Sequence, residues 1–200
     1  MQAQWQIKPK RGLGKLVFGL SAEEVAALAP VYGTPSLFMT HHHMVEAIET
    51  TIAQLGPALS AEDAAVLRRA AEQQARLGTQ VLHGTGPTLL EYDDGRLSGV
   101  TVEAKCGPAH FEGQALFTMS ARDVLALFEK ANGAPGRCRS TETAFDNLAV
   151  SLHGFSRRDA HGVRAMPGSD TDFAQRSVTV RAAPYQPADE MDQFVVHSFL

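Results

Sequence analysis

The sequence predicts an α+β protein made of two related units, each a helix followed by antiparallel strands, that form a shared sheet with the helices on one face. Two observations predict this. Residues 14–28 and 113–127 match without a gap, sharing Gly, Phe, Ser, Ala, Val, Ala and Leu in register. Apolar and polar residues then alternate with the period of half-buried strands. We assign residues 1–110 to the first unit and residues 111–200 to the second.

Both copies of the repeat carry signals that start a helix. Ser21 with Glu24 forms a capping box, and Ser120 with Asp123 forms a shorter version of it. In the first copy, a glycine and a proline at positions 33 and 35 end the pattern. The sequence therefore predicts one helix over residues 21–32 and a second that begins after Ser120.

A helical hairpin is predicted in the first unit alone. Apolar residues recur at helical spacing over residues 41–55, and Ser60 caps a second helix that is expected to end at Gly78. The second unit has nothing that corresponds to this pair of helices. We therefore treat residues 36–80 as an insertion into the first unit.

Strand patterns dominate the rest of the chain. An Asp-Asp-Gly turn separates predicted strands over residues 88–92 and 97–105, because Asp-Gly supplies the positive φ that a tight hairpin needs. Further strands are predicted over the ranges 111–117, 148–153 and 178–181. Residues 157–172 are expected to form a long exposed loop. Residues 193–200 are expected to form an edge strand or a docked tail.

The alternation also predicts a working surface. The residues expected to face the helices are Val100, Val102, Leu148, Val150, Leu152, Val178 and Val180. Side chains alternate along each strand, so the opposite face must be polar. The residues we expect to bind a partner are Thr101, Glu103, Lys105, Ser151, His153, Thr179 and Arg181.

The opening of the first unit resembles that of known binding proteins. Residues 18–35, with Phe-Gly-Leu-Ser-Ala-Glu-Glu-Val and then Tyr-Gly-Thr-Pro, resemble the start of the units in the β-lactamase inhibitor protein and outer-membrane assembly lipoprotein families. The resemblance implies tandem units whose sheet forms a concave, partner-binding surface. The same opening, with the acidic tyrosine strand at residues 91–94, also resembles cytoplasmic immunity proteins encoded beside bacterial toxins. The sequence departs from the pattern at Thr118, where the first copy has Gly19.

Composition limits the classes of partner. The net charge is −4, and the 18 Lys and Arg residues are outnumbered by 22 Asp and Glu residues and scattered along the chain, so nucleic acid is not an expected partner. There is neither an apolar run long enough to span a bilayer nor one resembling a signal peptide. We therefore expect a cytoplasmic protein that binds no membrane, in which Cys106 and Cys138 stay thiols.

Local motifs do not combine into an active site. On a helix, His42 and Glu46 would share one face, but the third ligand that zinc requires is missing. A His-Gly-Thr-Gly sequence at residues 83–86 is typical of an oxyanion loop, yet no Gly-x-Ser-x-Gly nucleophile accompanies it. Cys106 and His110 are separated by Gly-Pro, which favours a turn over a catalytic pair.

These observations favour a non-enzymatic protein-binding protein without a cofactor. The expected function is that of a cytoplasmic immunity protein that neutralises a bacterial toxin by occlusion. Two alternatives stay open: a small metal-dependent enzyme that uses residues 41–43, and an assembly factor.

We expect the three histidines at positions 41–43 to bind no metal needed for folding or activity, because their ligand set is incomplete. Elemental analysis of untagged protein and thermal melts with and without a chelator test this. Stoichiometric zinc, or a melting temperature lowered by chelation, would contradict the prediction and favour the metal-dependent enzyme.

Overall fold

A computed structural model describes residues 3–40, 43–84, 87–105, 109–186 and 190–200. It contains helices and a large antiparallel sheet, which confirms the α+β class. The helices are α1 Ala22–Ala26, α2 Ala29–Tyr32, α3 His43–Leu55, α4 Ala61–Ala75, α5 Ala121–Asn132 and α6 Thr171–Ala174. Short 3₁₀ turns cover Ala3–Trp5, Gly56–Ala58, Leu116–Thr118 and Met191–Gln193.

The strands differ widely in length. In chain order they are β1 Ile7–Lys8, β2 Gly12–Leu13, β3 Leu16–Val17, β4 Thr34–Pro35, β5 Met39–Thr40, β6 Leu77–His83, β7 Pro87–Asp93, β8 Arg96–Glu103, β9 His110–Phe111, β10 Gln114–Ala115, β11 Gly136–Arg139, β12 Glu142–Phe145, β13 Val150–His153, β14 Ser156–Asp159, β15 Gly162–Ala165, β16 Ser177–Arg181 and β17 Val195–His197.

Ten of these strands form one main sheet to which both halves of the chain contribute. Its order is β17-β11-β12-β13-β16-β8-β7-β6, with β4 and β5 pairing along the outer side of β6. Every pairing in it is antiparallel. The halves meet where β8 pairs with β16, from Glu103 opposite Ser177 to Gly99 opposite Arg181.

The core lies against one face of this sheet. Val100, Val180 and Val150 are neighbours across three strands and are buried, as are Val102, Val178 and Leu152 in the next row. Alternation along the strands therefore buries the residues that the sequence predicts. Leu148 is the exception, because it lies in the turn before β13 and is only half-buried.

Helices do not cover the core face alone. The amphipathic helix α5 buries Val124, Leu125 and Phe128. The small sheet β1–β3 places β2 against β8 and β16, and the hairpin β14–β15 contacts α5, β11 and β12. Short strands thus cover the core face together with α5, and the sequence does not predict them, since strands of two to four residues are too short to give a clear alternating pattern.

Both predicted serine caps are present. Ser21 Oγ accepts from the Glu24 N–H at 3.2 Å, and the Ser21 N–H donates to Glu24 Oε2 at 2.7 Å. Ser120 Oγ accepts from the Asp123 N–H at 3.2 Å and donates to Asp123 Oδ2 at 2.6 Å. The first helix is nevertheless broken into α1 and α2, because Pro30 lies near the start of α2 and begins a new helix.

The helical hairpin predicted within residues 36–80 is present. Helices α3 and α4 pack against each other as a hairpin, and Ser60 caps α4. However, α4 ends at Ala75, and Gly78 is not its C-terminal cap but lies within β6. A β-carbon at Gly78 would lie 2.6 Å from Phe38 Cζ, so glycine lets that ring pack on the strand. The last residues of the predicted insertion therefore belong to the main sheet.

Two other predictions are wrong. Residues 111–117 are not one strand, because Glu112 and Gly113, with φ of 47° and 81°, turn the chain between β9 and β10. Residues 157–172 are not a long loop but contain β14 and β15 paired as a hairpin, followed by the start of α6. Phe155 and Met166, at the two ends of that hairpin, are buried and fix it to the core.

The C-terminal segment is both an edge strand and a docked tail. Strand β17 pairs with β11 at the edge of the main sheet. Beyond it, the Ser198 hydroxyl and the Phe199 N–H each donate to the carboxylate of Glu129 at 2.6 Å. Glu129 is only 3% exposed, so these two bonds satisfy a buried acceptor on α5.

Replacing Ser120 with Ala should lower the free energy of unfolding by about 0.5–2 kcal/mol, because the first turn of α5 loses a hydrogen-bond acceptor. Ser169→Ala is the control, since that side chain is exposed and caps no helix. Chemical denaturation of both variants measures the difference, and equal effects would contradict the capping role.

Candidate functional site

The second face of the main sheet carries the side chains predicted to bind a partner. We call it the polar face and define it by residues of β7, β8, β11, β12, β13 and β16 that point away from the core. They are Leu89, Glu91, Thr101, Glu103, Arg137, Arg139, Glu142, Ser151, His153, Ser177, Thr179 and Arg181. Most of them line an open groove of about 380 Å³.

Six of the seven predicted residues lie on this face. Thr101, Thr179 and Ser151 form one row across β8, β16 and β13, and Thr101 and Thr179 share a hydrogen bond of 2.8 Å. Ser151 is only 8% exposed and lies at the bottom of the groove. Lys105 is the exception, because it follows the end of β8 in a turn and forms an ion pair with Glu103 at 2.8 Å.

A paired charge crosses the junction of the two halves. The Arg181 guanidinium donates to both carboxylate oxygens of Glu91, at 2.8 and 2.9 Å. Gly99 lies between them in the row, and a β-carbon there would lie 2.2 Å from Glu91 Oε2. Because Gly99 has no side chain, the side chains of Glu91 on β7 and Arg181 on β16 can pair across β8.

Two more arginines are held at the far end of the polar face. Arg137 binds both oxygens of Asp146, at 2.6 and 2.8 Å, and donates to the Tyr185 carbonyl at 3.0 Å. Arg139 pairs with Glu190. Both guanidiniums stack on the Phe194 ring, at 4.6 and 5.2 Å from its centroid.

The segment that follows β16 also shapes the site. The Tyr185 ring lies 5.1 Å from the Arg181 guanidinium, and the side chain is 44% exposed. Glu91, Arg181 and Tyr185 separate the groove from a second pocket of about 540 Å³. The other residues that line this junction pocket are Leu77, Gly78, Thr79, Tyr92, Asp93, Ser98, Ala182, Ala183, Pro184 and Gln186. A hydroxyl-lined groove and a more apolar pocket thus lie side by side.

Sequence reasoning missed several of these residues. Glu91 lies on the polar face by the same alternation that selected Thr101, so the alternating pattern of β7 could have identified it. Arg137, Arg139 and Glu142 had no such signal, because β11 and β12 are short and rich in polar residues. Tyr185 lies outside any strand, and only the tertiary structure brings it to the site.

Among the described residues, those considered for chemistry do not line this groove. Burial raises the pKa of the Cys138 thiol, and the side chain is 1% exposed, which disfavours a thiolate nucleophile. In the part of the chain that the structure describes, no group of three His, Cys, Asp or Glu side chains is arranged to hold a metal ion. His41, His42, the His43 side chain, Thr85, Gly86 and Cys106 lie outside the described residues.

Comparisons with known proteins do not assign the chain to a family. The chain matches no protein-family model, and searches against curated proteins and solved structures give no match either. Over the described residues, none of the helices has both the length and the apolar character needed to cross a bilayer. The function must therefore be argued from the site itself.

The pair between Glu91 and Arg181 should be energetically coupled across the junction. In a double-mutant cycle with Glu91→Gln and Arg181→Gln, we expect an interaction free energy of about 0.5–3 kcal/mol. The control is Glu49 with Arg68, which also has two N–O contacts, at 2.7 and 3.2 Å, but whose side chains are 49% and 46% exposed.

For this exposed control pair we expect only about 0.2–1 kcal/mol, because solvent screens the charges. Urea denaturation of the single and double variants measures both values. A coupling at the junction no larger than that of the control would contradict a structural role for the junction pair.

Proposed function

We propose that this chain is a non-enzymatic protein-binding protein whose polar face receives a partner. The observation that carries the proposal is the groove at the junction of the two halves, where Thr101, Thr179 and Ser151 form a hydrogen-bonding floor beside the junction pocket. Protein interfaces combine a well-packed apolar centre with surrounding polar contacts, and this surface offers both.

The charges of the polar face suggest how such a partner binds. Glu91 pairs with Arg181, Glu103 with Lys105 and Arg139 with Glu190, so these charges largely cancel within the face. A face of this kind exerts little long-range electrostatic attraction on a partner. Its contribution to the binding affinity comes from short-range hydrogen bonds and apolar contacts. We therefore expect binding here to depend only weakly on salt, whatever the charge of the partner as a whole.

Within this class, we propose the role of an immunity protein that occludes a toxin in the bacterial cytoplasm. The support is the resemblance of residues 18–35 to such proteins and a fold that offers a broad sheet face without requiring catalytic groups. Occlusion needs shape complementarity and a few buried anchor residues. An assembly factor would use the same face, and the identity of the captured protein distinguishes the two roles.

Variants that test the site must avoid its structural pairs. The sequence alone suggests reversing the charges of Glu103 and Arg181 to test the face. However, Arg181→Glu would place a carboxylate against that of Glu91. Loss of binding could then reflect a damaged junction. Thr101 is the better position, since its side chain is partly exposed in an open groove and its hydroxyl bonds only to the uncharged, part-buried hydroxyl of Thr179 among the described residues.

Replacing Thr101 with Arg should weaken partner binding by about 1–3 kcal/mol, because a long charged side chain would occupy the groove. Thr51→Arg on α3 is the matched control, since it makes the same change at an exposed helix position. The partner is first isolated by stoichiometric co-purification from the native cytoplasm, and calorimetry then measures each affinity.

Thermal melts establish that both variants remain folded. The absence of any stoichiometric protein partner would contradict the protein-binding class. A partner that binds the Thr101 variant and the control equally well would move the site away from the polar face.

A further inference from the structure

A cluster of four cations lies on the small N-terminal sheet. Lys8, Lys10, Arg11 and Lys15 fall within eight residues, and residues 1–22 contain no Asp or Glu. All four are exposed. The net charge of the whole chain does not reveal this cluster, because acidic residues elsewhere bring that charge to −4.

The geometry of β1–β3 brings the four cations together. Ile7, Leu13 and Leu16 are paired across the three strands and buried, so alternation directs Lys8 and Val17, in the next row, outward. Lys10 and Arg11 occupy the turn before β2, and Lys15 occupies the turn after it. Since only three residues lie between them, the α-carbons of Arg11 and Lys15 lie at most about 14 Å apart.

Lys8 completes the cluster from the neighbouring strand. Its Nζ donates to the Gly14 carbonyl at 3.3 Å, which brings the ammonium group beside the turn that holds Lys15. We call the outer side of β1–β3, with these four cations, the basic patch.

The basic patch lacks internal counter-charges. Across the described ranges, none of its four side chains lies within 4.0 Å of a carboxylate oxygen, whereas nine of the other Lys and Arg residues form such ion pairs. A bridge between Gln6 and His110 places β1 near the turn that holds Glu112, but within the described ranges the Glu112 carboxylate forms no ion pair with any of the four cations. The four charges thus act together toward solvent.

We propose that the basic patch is a docking site for an acidic polypeptide segment. Exposed Val17, at 47%, borders the cations and offers apolar contact to the side chains of such a segment. Nucleic acid is the less suitable occupant. The nearby aromatic rings of Trp5 and Tyr32 pack edge to face and are buried, so they cannot stack on bases. Four cations are also fewer than the six to ten phosphate contacts of typical DNA-binding proteins.

This site is independent of the polar face. The small sheet packs on the core side of β8 and β16, whereas the groove lies on the opposite side of the same strands. Both surfaces can therefore be occupied at once, and variants of one should not affect the other.

The test uses the full chain and a fluorescent deca-glutamate peptide, with binding followed by anisotropy at low salt. The variant Lys10→Glu with Arg11→Glu reverses two exposed charges in a turn. The control Arg69→Glu with Arg122→Glu makes the same charge change at exposed positions of α4 and α5. We expect the peptide affinity to fall at least tenfold in the first variant and less than twofold in the control.

Three results would overturn the proposal: no binding of the peptide by the native chain, equal losses in both double variants, or tighter binding of a ten-residue oligothymidylate than of the peptide. Thermal melts verify that the variants fold. The variant Thr101→Arg should bind deca-glutamate normally, so failure of the polar-face proposal would be seen separately.

Discussion

The antiparallel pairing of β8 with β16 is the constraint on which the rest of the structure depends. On the core side, this pairing sets Val100 against Val180 and Val102 against Val178, all buried. On the other side, it sets Thr101 against Thr179 and places Arg181 where it can reach Glu91 over Gly99. A shift of the register by one residue would exchange the two faces, so the core and the candidate site are fixed by the same hydrogen bonds.

The two sides of this junction have different physical roles. Burial of the branched aliphatic side chains on the core side stabilises the fold, because each removes apolar surface from water. The hydroxyls and paired charges of the polar face add less to stability, but they give the groove a defined pattern of hydrogen-bonding groups. Tyr185 and Phe194 reinforce one end of that pattern, since Arg137 contacts both of them and Arg139 stacks on Phe194.

The alternation of apolar and polar residues along the strands correctly predicted which side chains of β8, β13 and β16 lie on the polar face. Thr101, Ser151, His153, Thr179 and Arg181 all lie on the expected face, because a period of two leaves only one choice once the apolar partners are buried. The same reasoning could not find Tyr185, which lies outside any regular element. It also gave no sign that Arg181 serves a structural pair, since Glu91 is 90 residues away along the chain.

By itself, the sequence determined the local features of this protein: the serine caps, the Asp-Gly hairpin and the face that each long strand presents. These depend on a few neighbouring residues, whose propensities and spacing act over short distances. Only the tertiary structure decided that both halves share one sheet through β8 and β16, that β2 packs against these two strands, and that Arg181 pairs with Glu91. Such features depend on contacts between distant segments, and short strands carry too little periodic signal to predict them.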